Sequence, residues 1–311
     1  METKKQTLLE IQNLSISFQR YAKGLKQEKL EVISDMHLRV NTGEVVAIVG
    51  SSGSGKSLLA SAILGILPKN AKMKGTIYYK GKILTEQFQK ELRGSEIALV
   101  PQAVTYLDPL MKVGEQVDGH KKVREIGKRK QIFERFSLPK ETEKLYPFQL
   151  SGGMIRRVLV STALLTDAEL IIADEPTPGM GMDQALEALK MFHGMAEEGK
   201  SVILITHDID LAYLFADKIA VIYGGTTVEV AHAHDFKNGE KALRHPYSKA
   251  LWKALPQNGF EPISGIQPYA GSVLKGCIFA PRCTIKTKEC EEKVPPMREV
   301  RGGEVRCYHV T

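Results

Sequence analysis

Short apolar runs recur along the chain: Val45-Val46-Ala47-Ile48-Val49, Ile97-Ala98-Leu99-Val100, Leu170-Ile171-Ile172-Ala173 and Val202-Ile203-Leu204-Ile205. None has a helical repeat or a polar alternate, which predicts strands buried on both faces, as in a parallel sheet. A different pattern, strict alternation, marks Leu14-Ser15-Ile16-Ser17-Phe18 and Gly75-Thr76-Ile77-Tyr78-Tyr79. It predicts antiparallel strands within residues 7–40 and 74–84. Leu58 to Leu67 predicts a helix, and residues 103–165 are charged and helical in pattern. Lys218–Tyr223 and Thr227–Val230 predict a closing pair of strands turned by Gly224-Gly225.

Chemistry gathers where these apolar runs stop. The first runs into Gly50-Ser51-Ser52-Gly53-Ser54-Gly55-Lys56-Ser57 and then a helix. Strand, glycine-rich loop and helix, in that order, make a phosphate cradle. Gly50, Gly53 and Gly55 let backbone N–H groups, including those of Ser51 and Ser54, approach phosphate oxygens, and the helix start adds its dipole. Lys56 can reach the β- and γ-phosphates, and the Ser57 hydroxyl is placed to ligate Mg²⁺.

The third run ends in Asp174-Glu175 and the fourth leads to His207-Asp208. Acids at the tip of a buried parallel strand sit where open α/β sheets bind ligands. Asp174 would hold Mg²⁺ through water and Glu175 would act as general base on the attacking water. Two acids ending a strand, taken alone, also suit a solvated turn, and a lone His is more often structural. Beside a phosphate cradle His207 reads as a γ-phosphate contact. Gln102, just past the second run, offers a neutral amide to metal or water.

Together with Leu150-Ser151-Gly152-Gly153-Met154, these segments resemble the ATP-binding cassette (ABC) family over essentially the whole chain. The resemblance assigns the Walker A loop at 50–57, the Q-loop at Gln102, the signature at 150–154, Walker B at Asp174 with catalytic Glu175, and the switch His207. It implies an α/β P-loop NTPase with a parallel core, an antiparallel β subdomain and a helical subdomain near residues 103–165. The cassette would span 7–235 and a small Cys-containing extension 236–311. In that family Ser151 and Gly153, with Gly152 between them, contact the nucleotide held by an opposite subunit, so a second ATPase is implied. An aromatic residue stacks on adenine there. Phe18 fits by motif position, Tyr21 is the alternative, and plain packing of Phe18 in the sheet stays open. Two departures stand out. Met154 replaces the commoner Gln, and Gly181 stands where the family's D-loop Asp is expected, with Asp183 two residues late. The latter points to a related chain, rather than a second copy, as the dimer partner.

Composition changes the picture little. Hydrophobic residues make up 43% and charged residues 25%, as in ordinary globular proteins. No apolar stretch approaches about 20 residues, and Met1–Arg20 lacks the apolar core of a signal peptide. The expected location is the cytoplasmic face of a membrane. A net charge of +7 suits an anionic leaflet, and no nucleic-acid partner is expected from basic residues spread along the chain.

The tail narrows the family. His245-Pro246-Tyr247-Ser248 and Gly276-Cys277-Ile278-Phe279-Ala280-Pro281-Arg282-Cys283, with Cys290 and Cys307, resemble the C-terminal region of oligopeptide, dipeptide and nickel importer ATPases. That resemblance implies an energy-coupling subunit docked on two membrane permeases and served by an extracellular solute-binding protein, for peptides, nickel or metal chelates. Cys277, Cys283, Cys290 and Cys307 are all the cysteines of the chain. The family implies a [4Fe-4S] cluster on them; zinc and packed reduced thiols remain open. Two rival readings are a soluble cassette working on nucleic acid or ribosomes, and an iron–sulfur-linked nucleotide-binding regulator.

Overall fold

The computed structural model describes residues 6–21, 27–51, 53–119, 126–268 and 275–311. Its strands are β1 (Thr7–Tyr21), β2 (Gln27–Asn41), β3 (Val45–Gly50), β4 (Ala71–Tyr79), β5 (Lys82–Ile83), β6 (Ile97–Val100), β7 (Leu170–Asp174), β8 (Ser201–Thr206), β9 (Lys218–Tyr223), β10 (Thr226–His232), β11 (Arg298–Val300) and β12 (Gly303–Val305). The helices are α1 (Lys56–Leu64), α2 (Glu86–Leu92), α3 (Val113–Asp118), α4 (Ile126–Arg135), α5 (Gly152–Leu164), α6 (Met182–Glu197), α7 (Ile209–Phe215), α8 (Ala233–Lys237), α9 (Pro246–Lys253) and α10 (Lys288–Glu292).

The strands form two sheets, ordered β2-β1-β4-β5 and β11-β12-β10-β9-β3-β8-β7-β6. The first is antiparallel throughout. In the second, β9, β3, β8, β7 and β6 run parallel. Successive residues explain why these strands read as unbroken apolar runs. Val46 and Ile48 of β3, with Ile203 and Ile205 of β8, join β1, β2 and α1 in one core cluster. Val45, with Val202 and Leu204, faces the other way onto α5 and α6, and Ala47 and Val49 face α7 and the tail. A strand covered on both faces has no polar alternate.

The helix after the glycine-rich loop stops at Leu64, short of the Leu67 that the apolar pattern predicts. Gly65 takes a left-handed conformation (φ 65°) and its N–H bonds back to Ala62 O. A left-handed glycine ends a helix whatever apolar residues follow.

The C-terminal residues are built into the main sheet. β12 pairs antiparallel with β10 through Glu229–Val305 and Val230–Glu304, and β11 completes the edge. A buried ion cluster locks this junction. Arg244, 2% exposed, donates to Asp235 Oδ2 (2.8 Å) and lies 3.4 Å from Glu229 Oε1. Its guanidinium also donates to the carbonyls of Val300 and Arg301. Glu229 accepts from the backbone N–H groups of Arg244 (2.9 Å) and His245 (2.7 Å). Arg306 reaches further, donating to Thr227 O in the main sheet and to both the carboxylate and carbonyl of Asp35 in the antiparallel sheet.

Removing one member of a buried charge cluster strands the others. Arg244→Met is expected to lower folding stability by about 3–5 kcal/mol, read as a lower urea midpoint, and adding Glu229→Gln should restore part of the loss. An unchanged midpoint for the single variant would show that the cluster does not hold the tail.

Candidate active site

Three adjacent strands bring the site together. β3 pairs with β8 through Val49 and Thr206, and β8 pairs with β7 through Ile205 and Asp174. The glycine-rich loop, His207 and the Asp174-Glu175 pair therefore leave the sheet at one edge, about 4.8 Å apart strand to strand. This is where a parallel sheet exposes unpaired backbone groups and helix starts.

Lys56 opens α1 and is buried, its ammonium donating to Gly50 O (2.8 Å) and Ser51 O (3.0 Å). Burial pulls its pKa down, against the pull of Glu175 and Asp174. Ser54 Oγ is buried and without a hydrogen-bond partner. Ser52 lies outside the described residues.

Asp174 is also buried, and burial pushes its carboxyl up, with Ser57 acting in the opposite sense. One of its oxygens, Oδ1, has no hydrogen-bond partner. An orphaned buried carboxylate oxygen beside a serine hydroxyl suits a hard cation, so Asp174 and Ser57 fit Mg²⁺. Glu175 N donates to Ile205 O (2.9 Å) and the residue sits at φ 47°, a strained left-handed turn for a side chain of this size. That turn aims the carboxylate at His207, whose Nδ1 lies 2.9 Å and 3.0 Å from the two oxygens. Glu175 is buried while the His207 side chain is 66% exposed, so the histidine can face a ligand while Glu175 orients it.

The other sequence candidates lie apart from this group. Gln102 is exposed, with its carbonyl accepting from Arg156 at 2.6 Å. Ser151 caps α5, its Oγ accepting from Met154 N at 3.3 Å, and Ser151 and Gly152 are exposed. At Gly153 a Cβ would come within 2.9 Å of Gly179 O, so only glycine lets α5 approach the turn after Glu175 this closely. Gly181 caps α6 without a side-chain bond, and Asp183 is exposed in its first turn. Phe18 is half-buried and packs on the β1–β2 core. The side chain of Tyr21 lies outside the described ones.

Sequence reasoning missed two arginines. Arg156 is buried in α5 and donates to Pro101 O (2.9 Å) and Gln102 O. Burial lowers its pKa, and the charges of Asp174 and Glu175 oppose that. It thus ties the signature helix to the Q-loop and to the acids. Arg157 ties the same helix to Phe136 O (2.6 Å). The only signal was their place in Gly152-Gly153-Met154-Ile155-Arg156-Arg157.

The expected [4Fe-4S] cluster on the four cysteines finds no support. All four are free thiols, and Cys277 N donates to Cys290 O at 2.7 Å. Burial raises Cys277 and Cys283, with Cys290 and Cys307 adding to the shift in both. Yet among the described residues no group of three or more His, Cys, Asp or Glu is placed to hold a metal ion. Cys277 and Cys283 pack against the Tyr247–Phe279 cluster, whereas Cys307 packs with Val305 and Val310. Cys290 Sγ faces His309 Nε2 at 3.2 Å.

Replacing Glu175 with Gln keeps the shape and removes the expected base. Turnover of Glu175→Gln should fall by roughly 10²–10⁴ while Mg²⁺-ATP affinity in equilibrium titration stays unchanged. A matching loss of affinity would assign Glu175 a structural role instead.

Comparison with known proteins agrees with this geometry. A family model described as ABC transporter matches residues 33–178. A second, described as the C-terminal region of oligopeptide/dipeptide transporters, matches 228–290. The chain is 36% identical to the dipeptide transport ATP-binding protein DppD of Bacillus subtilis (strain 168), covering 97% of this chain and 94% of that one. It is 32% identical to the oligopeptide transport ATP-binding protein AppD of the same strain, covering 97% and 96%. In fold it is similar to a dimeric ATP-binding cassette in a post-hydrolysis state bound to ADP and Pi. That likeness has a TM-score of 0.63 at 24% identity, over 73% of this chain and 99% of that one. With the phosphate loop, acids and histidine at one sheet edge and relatives matched nearly end to end, the chain belongs to the ABC transporter family, among its ATP-hydrolysing subunits.

Proposed function

We propose that this protein is the energy-coupling ATPase of an importer for dipeptides or oligopeptides, working at the cytoplasmic face of the membrane. The observation that carries this reading is the near full-length similarity, tail included, to relatives named for dipeptide and oligopeptide transport. Nickel and metal chelates, also open from the tail motif, have no such support. The cassette would occupy residues 7–235 and the transporter-type region 236–311.

Lys56 and the backbone of residues 50–57 bind the triphosphate, and Phe18 stays a weak contact for adenine because it is largely packed. Ser57 and Asp174, with Gln102, would hold Mg²⁺, which would supply charge neutralisation on the phosphates. Glu175 takes the proton of the attacking water, and His207, oriented by Glu175, contacts the γ-phosphate. Ser151 and Gly152 are exposed at the start of α5 and Gly153 is half-buried beside them, where they would meet a nucleotide on a second ATPase. The missing D-loop carboxylate at Gly181 favours a related chain as that partner.

Among the described residues no helix is long and apolar enough to cross a membrane, so transport requires permease subunits. A cleft of about 730 Å³ lies between β6 and the helical subdomain, lined by Ile66, Leu99, Tyr106, Val117 and Leu165. Tyr106 is 60% and Leu110 86% exposed, four and eight positions after Gln102 in sequence. An apolar cleft of this kind, with Tyr106 in its lining, suits a short cytoplasmic helix of a permease, and Arg156 links Gln102 to the acids. A separate solute-binding protein would deliver the peptide outside.

Affinity purification of tagged Glu175→Gln from membranes in ATP should recover two permeases and a second ATPase. Recovery of DNA or ribosomes without membrane proteins would overturn the transport reading.

A further inference from the structure

The tail does more than extend the sheet, because one of its side chains reaches the phosphate loop. Gln267 Oε1 accepts a hydrogen bond from Ser51 Oγ at 2.6 Å, across 216 positions of sequence. Ser51 is the second residue of the loop, and its carbonyl is one of the two that hold the Lys56 ammonium. A fixed Ser51 side chain therefore bears directly on the backbone that holds the phosphate-binding lysine.

The segment carrying Gln267 is held in place rather than laid loosely on the surface. Arg282 donates to Ser264 O (2.7 Å) and Ile263 O (2.8 Å), and its third bond goes to Tyr223 Oη at 3.2 Å. Ile263 packs against the cluster containing Tyr223, Tyr247 and Phe279. Tyr223 ends β9, whose Ile222 is paired with Gly50 at the start of the loop. The tail thus grips the strand next to the phosphate loop at one point and the loop itself at another. Gln267 is half-buried in this arrangement.

We propose that Gln267 is a positioning residue of the nucleotide site, fixing Ser51 and bordering the space that the nucleotide phosphates occupy. The proposal rests on the assignment of residues 50–57 as the phosphate loop. A neutral amide suits this place, since it accepts from Ser51 without adding negative charge beside a triphosphate. A carboxylate of similar size would keep the hydrogen bond and repel the ligand. A purely structural strut would not register that difference.

The test is equilibrium binding of Mg²⁺-ATP to full-length wild type, Gln267→Glu, Gln267→Lys, Gln267→Ala and Ser51→Ala. Gln267→Glu should weaken binding about tenfold at low salt, with the deficit shrinking as ionic strength rises. Gln267→Lys should bind at least as tightly as wild type, and melting temperatures without nucleotide should agree among the Gln267 variants. Gln267→Ala and Ser51→Ala should be non-additive when combined. Equal affinities across the charge series, equal losses for Glu and Lys, or full additivity would overturn the proposal. A wild-type protein that fails to bind Mg²⁺-ATP would instead remove the phosphate-loop assignment beneath it.

Discussion

Parallel pairing of β3, β8 and β7 is the constraint on which the chemistry depends. Because the strands run the same way, their carboxyl ends emerge together and deliver the glycine-rich loop, His207 and Asp174-Glu175 to one edge. The pairing persists because both faces of each strand are covered, by β1, β2 and α1 on one side and by α5, α6, α7 and the tail on the other. A parallel sheet exposed on one face would lose this driving force. The strained turn at Glu175 is tolerated for the same reason, since the rigid strand β7 fixes the residues before it and Glu175 N bonds to Ile205 O of β8.

The tail depends on the same sheet. His245 opens α9, and its Nδ1 accepts from Tyr247 N at 3.0 Å. Full burial pushes this imidazole down to about 3, so it stays neutral and the acceptor remains available. Tyr247 then packs on Tyr223 (centroids 4.4 Å apart) and on Phe279 (5.5 Å). The His-Pro-Tyr motif is thus a helix start and an aromatic anchor at the end of β9, beside the strand that feeds the phosphate loop. Arg244 and Arg306 complete the attachment with buried bonds to both sheets.

Much of this was legible in the sequence because strand ends carry the chemistry and apolar runs mark the strands. The positions of Lys56, Asp174, Glu175 and His207 at strand ends could be read from such runs, while their roles were read from the glycine-rich loop and the family resemblance. What escaped was whatever depends on contacts between distant segments. Ser151 reads as a ligand group, yet its side chain also caps α5. Arg156 lies in a signature quoted for its glycines, and only the fold shows its bonds to Pro101 and Gln102. Gln267 stands in a stretch with no motif, and nothing local connects it to Ser51.

The convergence of strand ends has its sharpest consequence at Lys56, whose ammonium is held by loop carbonyls and partly desolvated. Isothermal titration of Mg²⁺-ATP into wild type and Lys56→Ala measures that consequence directly. Loss of a charge-assisted bond to phosphate should weaken binding roughly tenfold to a hundredfold, with the folded state intact by circular dichroism. Equal affinity in the two proteins would place the nucleotide somewhere other than this sheet edge.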